Sequence, residues 1–308
     1  MQSPNVEAEN KQLDLVDEEE ALFGEAQSWG KLVWRRFRRH KLAMVGLYIL
    51  LFLIAVSVAA PIIAPYDPAE INMDLVVGGR PQGPSLAHPF GTDALGRDYL
   101  SRAIYGGRVS LSVGIVAVGI SLAIGVIVGS IAGYFGGIVD SIICRTIDIL
   151  MCIPTFFLIL TANVYLKPSV FNIMVVIGIF GWMGCARLVR GQFLSLRERE
   201  FVEAARALGL KNSRIIFGHL LPNTLAPLVV VATMGIGGAI LTESGLSYLG
   251  MGVQEPASSW GSMLRSSQPY LTTAPWLAFF PGLLILITVL ALNFVGDGLR
   301  DAIDPQLK

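Results

Sequence analysis

Six apolar runs, each close to the length needed to cross a bilayer, constrain this chain more than anything else in it. They occupy residues 42–63, 109–132, 142–166, 170–186, 224–241 and 276–295. A helix needs about 20 apolar residues to span a hydrocarbon core roughly 30 Å thick. Hydrocarbon offers no partner to a backbone amide or carbonyl, so only helices and closed barrels cross it. The runs are continuous and lack the alternation of barrel strands, so they predict helices. The first run alone holds thirteen Leu, Ile, Val and Phe residues, which contribute roughly −4 to −8 kcal/mol towards insertion. It is longer than the ~7–15 apolar residues of a signal peptide, and Pro61 disfavours cleavage after Ala59 or Ala60. The expected fold is an all-α integral membrane protein with six transmembrane helices. Composition agrees, with 53% hydrophobic residues, 15% charged residues and a mean hydropathy of +0.62. Soluble domains carry about 25% charged residues.

The formal charge balances, 23 Lys and Arg against 23 Asp and Glu, and the zero is a cancellation between segments. Residues 1–28 carry Glu7, Glu9, Asp14, Asp17, Glu18, Glu19, Glu20 and Glu25 against Lys11 alone, which predicts a solvated tail. Lys31, Arg35, Arg36, Arg38, Arg39 and Lys41 follow at once, interleaved with Trp29 and Trp34 as at a lipid headgroup boundary. A nucleic-acid patch is the rival reading of these bases, but the apolar run beginning at Leu42 favours membrane anchoring and no nucleic-acid partner. The connection after the fourth run is also basic, with Arg187, Arg190, Arg197, Arg199, Arg206, Lys211 and Arg214. The loop after the first run has only Arg80, Arg97, Arg102 and Arg108, and the loop after the fifth only Arg265. Because cytoplasmic loops collect Lys and Arg, six helices with both termini cytoplasmic satisfy every count. The organisation that follows is a cytoplasmic N-terminal segment (1–41), a first helix (42–63), an extracytoplasmic loop (64–106), a five-helix core (107–296) containing a cytoplasmic loop (187–223), and a cytoplasmic tail (297–308).

Cys144, Cys152 and Cys185 sit in apolar runs and read as small core-filling side chains. Scattered histidines, His40, His88 and His219, indicate no metal site. Ser121, Gly125, Gly129 and Gly133 recur every four residues and lay a smooth stripe on one helix face. Such a stripe meets another helix, either within this chain or in a partner. In the first outer loop Asp93, Arg97, Asp98 and Arg102 alternate in sign and read as surface pairs with a structural role, each worth little. Glu243 ends the fifth run, where it either reaches water or has a gating or docking role. Asp148 has Arg145 three residues away as a structural partner.

The segment 196–223 is the most informative. Glu198, Glu200 and Glu203 lie early in a predicted helix, with Arg206 three residues beyond Glu203. Phe201, Ala204, Ala205 and Leu208 form an apolar face on which two small alanines make an exposed knob, and Gly209 then ends the helix. Ile215, Ile216, Leu220 and Leu221 restart the pattern up to Pro222. A close-approaching partner groove explains the small side chains; a solvated amphipathic hairpin is the plainer reading.

Glu203-Ala204-Ala205, Gly209 and Leu221-Pro222 resemble the EAA motif of ABC importer permeases, E-A-A-x3-G-x9-I-x-L-P, with His219 where the general pattern has Ile. Four further blocks, beginning at Phe90, Arg145, Glu243 and Phe294, resemble the C-type subunit of dipeptide and oligopeptide permeases, so that the likeness covers about 30–305. The resemblance implies the type I importer permease fold and a subunit of the bacterial or archaeal cytoplasmic membrane that moves di- or oligopeptides by alternating access. It implies that Glu203, Ala204, Ala205 and Gly209 form a helix docking on an ATPase, with Leu221 and Pro222 as its base. Arg145, Asp148 and Glu243 are candidates for gating or structural roles. Implied partners are a second homologous permease, two cytoplasmic ATPases that bind ATP and Mg, and an extracytoplasmic peptide-binding protein. Nickel or another small ligand is the alternative cargo within this architecture.

No cofactor, metal or catalytic residue is expected on this chain. Its Gly30-Lys31 pair lacks the glycine five positions earlier that a phosphate-cradling loop requires. An intramembrane protease has only near-miss motifs, Thr242-Glu243-Ser244-Gly245 and Gly296-Asp297. A self-sufficient carrier or channel calls for inverted repeats. Pro154 and the Gly235, Gly237 and Gly238 cluster interrupt helices, yet the two halves are not alike.

Overall fold

The computed structural model describes residues 29–76, 80–166 and 169–303. The acidic segment 1–28, Gly78 and Gly79 of the outer loop, and 304–308 of the tail lie outside the described residues. Described residues form helices and loops, with an isolated bridge between Thr92 and Asp98. In order, α1 (Trp29–Arg39) leads into α2 (Lys41–Val58) and a short turn, α3 (Ala60–Ile63). Beyond the first outer loop come α4 (Tyr99–Phe135), α5 (Gly137–Met151), α6 (Thr155–Tyr165) and α7 (Val170–Leu196). A hairpin follows, made of α8 (Glu200–Ala207), α9 (Asn212–Ile215) and a π turn over Ile216–Leu220. The chain then forms α10 (Leu221–Tyr248), α11 (Trp260–Ser267) and α12 (Trp276–Ile303).

Five helical stretches are long and apolar enough to cross a membrane unaided, and α5 and α6 together reach that length and hydropathy as a bent pair, giving six if the pair is one span. The single helix expected over 142–166 is bent by 80° between Met151 and Thr155. Pro154 has no N–H to give to a helix and pushes the residue before it out of the helical region. Cys152 at this break is exposed, not core-filling, whereas Cys185 is buried; all three cysteines are free thiols.

Helix α4 starts well before its apolar run because Asp98 caps it, accepting from the Ser101 amide at 2.7 Å. It stops where Gly136 adopts φ 67°, ψ −158°, a conformation that disfavours any side chain. The small-residue stripe packs inside this chain. A Cβ added at Gly125, Gly129 or Gly133 would stand 2.5–2.6 Å from Cys185, Ala186 or Phe193 of α7.

Helix α1 packs on the last turns of α12, with Phe37 buried and His40 3.6 Å from Asp301, so the first and last described helices meet at one end of the bundle. Hairpin 197–220 sits at this same end, which also collects the basic segments. The two sparsely basic loops lie at the opposite end, the outer one by the Lys and Arg count.

Candidate functional site

Helix α8 is short and amphipathic, with Glu200 and Glu203 in its first turn and Arg206 in its last, each complementing the helix dipole. It closes at Gly209, where φ is +72°. The Gly209 amide donates to the Arg206 carbonyl at 2.9 Å and the Leu210 amide to the Ala205 carbonyl at 3.2 Å. This is the paired closure that a left-handed glycine makes. A Cβ at Gly209 would meet nothing within 4 Å, so backbone conformation, not crowding, demands glycine.

The exposed two-alanine knob is corrected. Val202 and Ala205 turn inward and are buried with Tyr134, Val189, Phe193, Leu220 and Leu228 in one cluster. Phe201, Ala204 and Leu208 face outward, Leu208 at 81% exposure. Helical periodicity separates the two sets, since 202 and 205 share one face while 201, 204 and 208 share another. Ala204 therefore faces outward and Ala205 does not; Glu203 is exposed beside it. At the base of the hairpin Leu221 is half-buried and Pro222 is exposed. Pro222 supplies no amide to the helix, and the preceding turn widens, its Leu221 amide bonding to the Ile216 carbonyl five residues back.

Contacts not evident from the motif hold the hairpin to the inner end of α4. The Tyr134 hydroxyl donates to Asn212 Oδ1 at 2.8 Å, and the Arg206 guanidinium lies 5.6 Å over the Tyr134 ring. Arg197 Nη1 donates to the Gly133 carbonyl at 3.2 Å. A phenol at the end of an apolar helix signals a need for a polar partner, though not which one.

Asp148 does not pair with Arg145. It accepts from Arg187 Nη2 at 2.5 Å, Asp140 is held by Arg190, and Arg145 is exposed with no ion pair among the described residues. Both partners come from α7. Glu243 does not reach water. Helix α10 continues past it to Tyr248, and Glu243 is fully buried, accepting from Ser247 at 2.6 Å, Ser259 at 2.7 Å and Ser110 at 3.4 Å. Ser259 caps α11, and Trp260 donates its indole N–H to the Ala103 carbonyl at 2.9 Å. Glu243 thus ties α10 to α4 and to the segment that opens α11.

The outer charges are buried rather than superficial. Arg97 Nε donates to Asp93 at 2.7 Å, and Arg97 and Arg102 both reach Glu255, at 2.5 and 3.0 Å. Asp98 leaves this set and pairs with His88 at 2.9 Å. Burial disfavours the Glu255 carboxylate, but the Arg97 hydrogen bond and the charges of Arg102 and Arg97 outweigh it and hold its carboxyl below the usual range. Glu255 was not anticipated, since it lies in a loop far from both arginines in sequence.

Between α4, α6, α7 and α10 lies a cavity of about 280 Å³, walled by small and apolar side chains and carrying the hydroxyls of Ser121, Thr155 and Thr242.

The geometry of a membrane bundle with a partly apolar hairpin at one end has close counterparts. Residues 125–308 match the model of the binding-protein-dependent transport system inner membrane component. Residues 28–84 match the N-terminal TM domain of oligopeptide transport permease C. The dipeptide transport system permease protein DppC of Alkalihalophilus pseudofirmus is 45% identical over 89% of both chains. The oligopeptide transport system permease protein OppC of Bacillus subtilis is 42% identical over 89% of this chain and 88% of its own. The glutathione transport system permease protein GsiD of Shigella flexneri is 44% identical over 89% of this chain and 90% of its own. In fold, a chain of the inward facing MetNI methionine ABC transporter aligns with a TM-score of 0.52 at 21% identity, covering 65% of this chain and 95% of that one. The fold is that of a type I importer permease, and the chain belongs to the binding-protein-dependent transport system inner membrane components, as a multi-pass protein of the inner membrane.

Proposed function

We propose that this chain is a permease subunit that moves di- or oligopeptides inward by alternating access, driven by ATPases that dock on α8. The relatives that transport dipeptides, oligopeptides and glutathione support a short peptide as cargo. The cavity among α4, α6, α7 and α10 suits such cargo, since its hydroxyls can exchange hydrogen bonds with peptide groups while its small side chains leave room for the side chains. ATP and Mg belong to the partner ATPases; Glu203, Ala204, Ala205, Gly209, Leu221 and Pro222 belong to the relay.

One observation carries the relay. Helix α8 offers Phe201, Ala204 and Leu208 to the outside while Val202 and Ala205 are embedded in a cluster shared with α7 and the start of α10. A displacement of the outer face is therefore delivered to two crossing helices that wall the cavity. Tyr134 and Arg197 extend the same grip to α4, the third wall. The remaining partners are a second homologous permease and an extracytoplasmic peptide-binding protein.

The test is purification of the complex from native membranes, followed by reconstitution with and without the co-purified subunits. Peptide uptake that requires ATP, the ATPases and the binding protein is expected. Uptake by this chain alone, or a purified complex lacking an ATPase, overturns the reading.

A further inference from the structure

The cavity among α4, α6, α7 and α10 holds about 280 Å³, just below the roughly 300–1,000 Å³ of pockets that enclose a small ligand. In so small a space each carbon added to the wall removes room from the occupant. Among the described residues that line it there is no Asp, Glu, Lys, Arg or His. A charged group on the cargo finds no counter-charge in this wall, so discrimination here rests on shape and on the hydroxyls.

Two glycines open on this space without a reason internal to the chain. Gly184 lies inside α7 and Gly238 inside α10, both in regular helix, where glycine is less stable than alanine. A Cβ added to either would meet nothing within 4 Å. Neighbouring glycines differ. A Cβ at Gly181 would stand 3.2 Å from Ser121 Oγ, and one at Gly235 would stand 3.3 Å from a Val118 methyl. Gly125, Gly129 and Gly133 are pressed against α7, and Gly136 and Gly209 take positive φ. At Gly184 and Gly238 neither packing nor backbone conformation calls for glycine, yet both line the same cavity from different helices. What the missing side chains preserve is the width of that cavity.

We propose that Gly184 and Gly238 are size-determining residues for the cargo, keeping the passage wide enough for bulky peptide side chains. The inference rests on the reading of this cavity as the peptide passage. A helix of the second permease seated on the two glycines is the competing occupant, and the test separates the two.

Uptake of dialanine and of ditryptophan is measured in the reconstituted complex with one and the same binding protein, whose own preference then cancels between wild type and variant. In Gly184→Val and in Gly238→Val the ratio of ditryptophan to dialanine uptake should fall at least about tenfold, the low end for one carbon's change in a pocket. Gly119 of α4 is equally free of neighbours but lies outside the lining, so Gly119→Val should leave the ratio unchanged. Val231→Ala removes two carbons from the lining and should raise the ratio severalfold, a gain that a misfolded chain cannot produce. An unchanged ratio in both glycine variants overturns the proposal, as does an equal fall in Gly119→Val or the absence of a gain in Val231→Ala. Loss of the second permease from the purified Gly184→Val or Gly238→Val complex assigns the space to that subunit and overturns it as well. A wild-type complex that takes up neither dipeptide overturns the peptide reading itself, and this proposal with it.

Discussion

At the outer end, segments far apart in sequence are joined by polar contacts: the buried Arg97 and Arg102 to Glu255, whose side chain is 57% exposed, and the buried Glu243 carboxyl to Ser110 and Ser259, while Arg97 and Asp93 form a buried ion pair. At the inner end, α8 is joined to the bundle by two small apolar side chains, Val202 and Ala205, and by the Tyr134 clamp. Buried ion pairs are unforgiving, because a small displacement leaves a charge without a partner. Apolar contacts tolerate sliding, since dispersion is non-directional and spread over many atoms. The outer cap is therefore held chiefly by directional contacts, and the inner hairpin chiefly by contacts of a kind that tolerates sliding.

The comparison breaks if the outer charges prove dispensable. Arg97→Met leaves Asp93, whose side chain is 7% exposed, with Arg102 Nε at 3.7 Å as its remaining ionic partner. The expected loss is about 3–5 kcal/mol, read by thermal or denaturant unfolding of the purified complex. A loss below about 1 kcal/mol would show that the cap is not held by this network. Ala205→Leu comes next. It forces three extra carbons into a filled cluster and should cost about 1–3 kcal/mol, with reduced assembly as well as reduced transport. Wild-type stability in this variant would mean that Ala205 faces the partner after all.

Apolar runs exposed the crossings, since length and continuity suffice to name a membrane helix. Spacing exposed the hairpin, and Gly209 its end. Missing from the sequence were the inner and outer faces of α8, because Ala204 and Ala205 are chemically identical and only the register against Phe193 and Leu228 distinguishes them. Ion-pair partners were equally hidden. Arg145 is the near neighbour of Asp148 along the chain, yet Arg187 of α7 is the residue that reaches it. Glu243 shows a third limit. An acid near the end of an apolar run gives no hint that serines from two other segments will enclose it.

Gly209→Ala sharpens the inner half of the comparison at a smaller scale. The added methyl meets no neighbour, so the whole penalty is the left-handed backbone, about 1–2 kcal/mol. The hairpin should loosen locally, visible as faster amide exchange over 205–212, while unfolding of the outer cap stays unchanged. Equal loosening at both ends would mean that the two regions are one cooperative unit.

The smallest effect on stability should accompany the clearest effect on function. Leu208 is 81% exposed and Phe201 41%, so replacing both by Ser removes little buried surface. Surface substitutions of this kind stay within about 0.5 kcal/mol, and the F201S/L208S chain should purify with an unchanged melting temperature. Its outer face, however, no longer offers a docked ATPase an apolar surface to close on. Peptide uptake should fall at least about tenfold, the equivalent of 1.4 kcal/mol of lost coupling. Basal ATP hydrolysis by the complex should persist. Ala205→Leu cannot mimic this pattern, because it perturbs stability and uptake together. If F201S/L208S instead transports peptide normally, the exposed face of α8 is not the contact through which ATPase closure reaches α7 and α10, and the inner end must be driven from elsewhere.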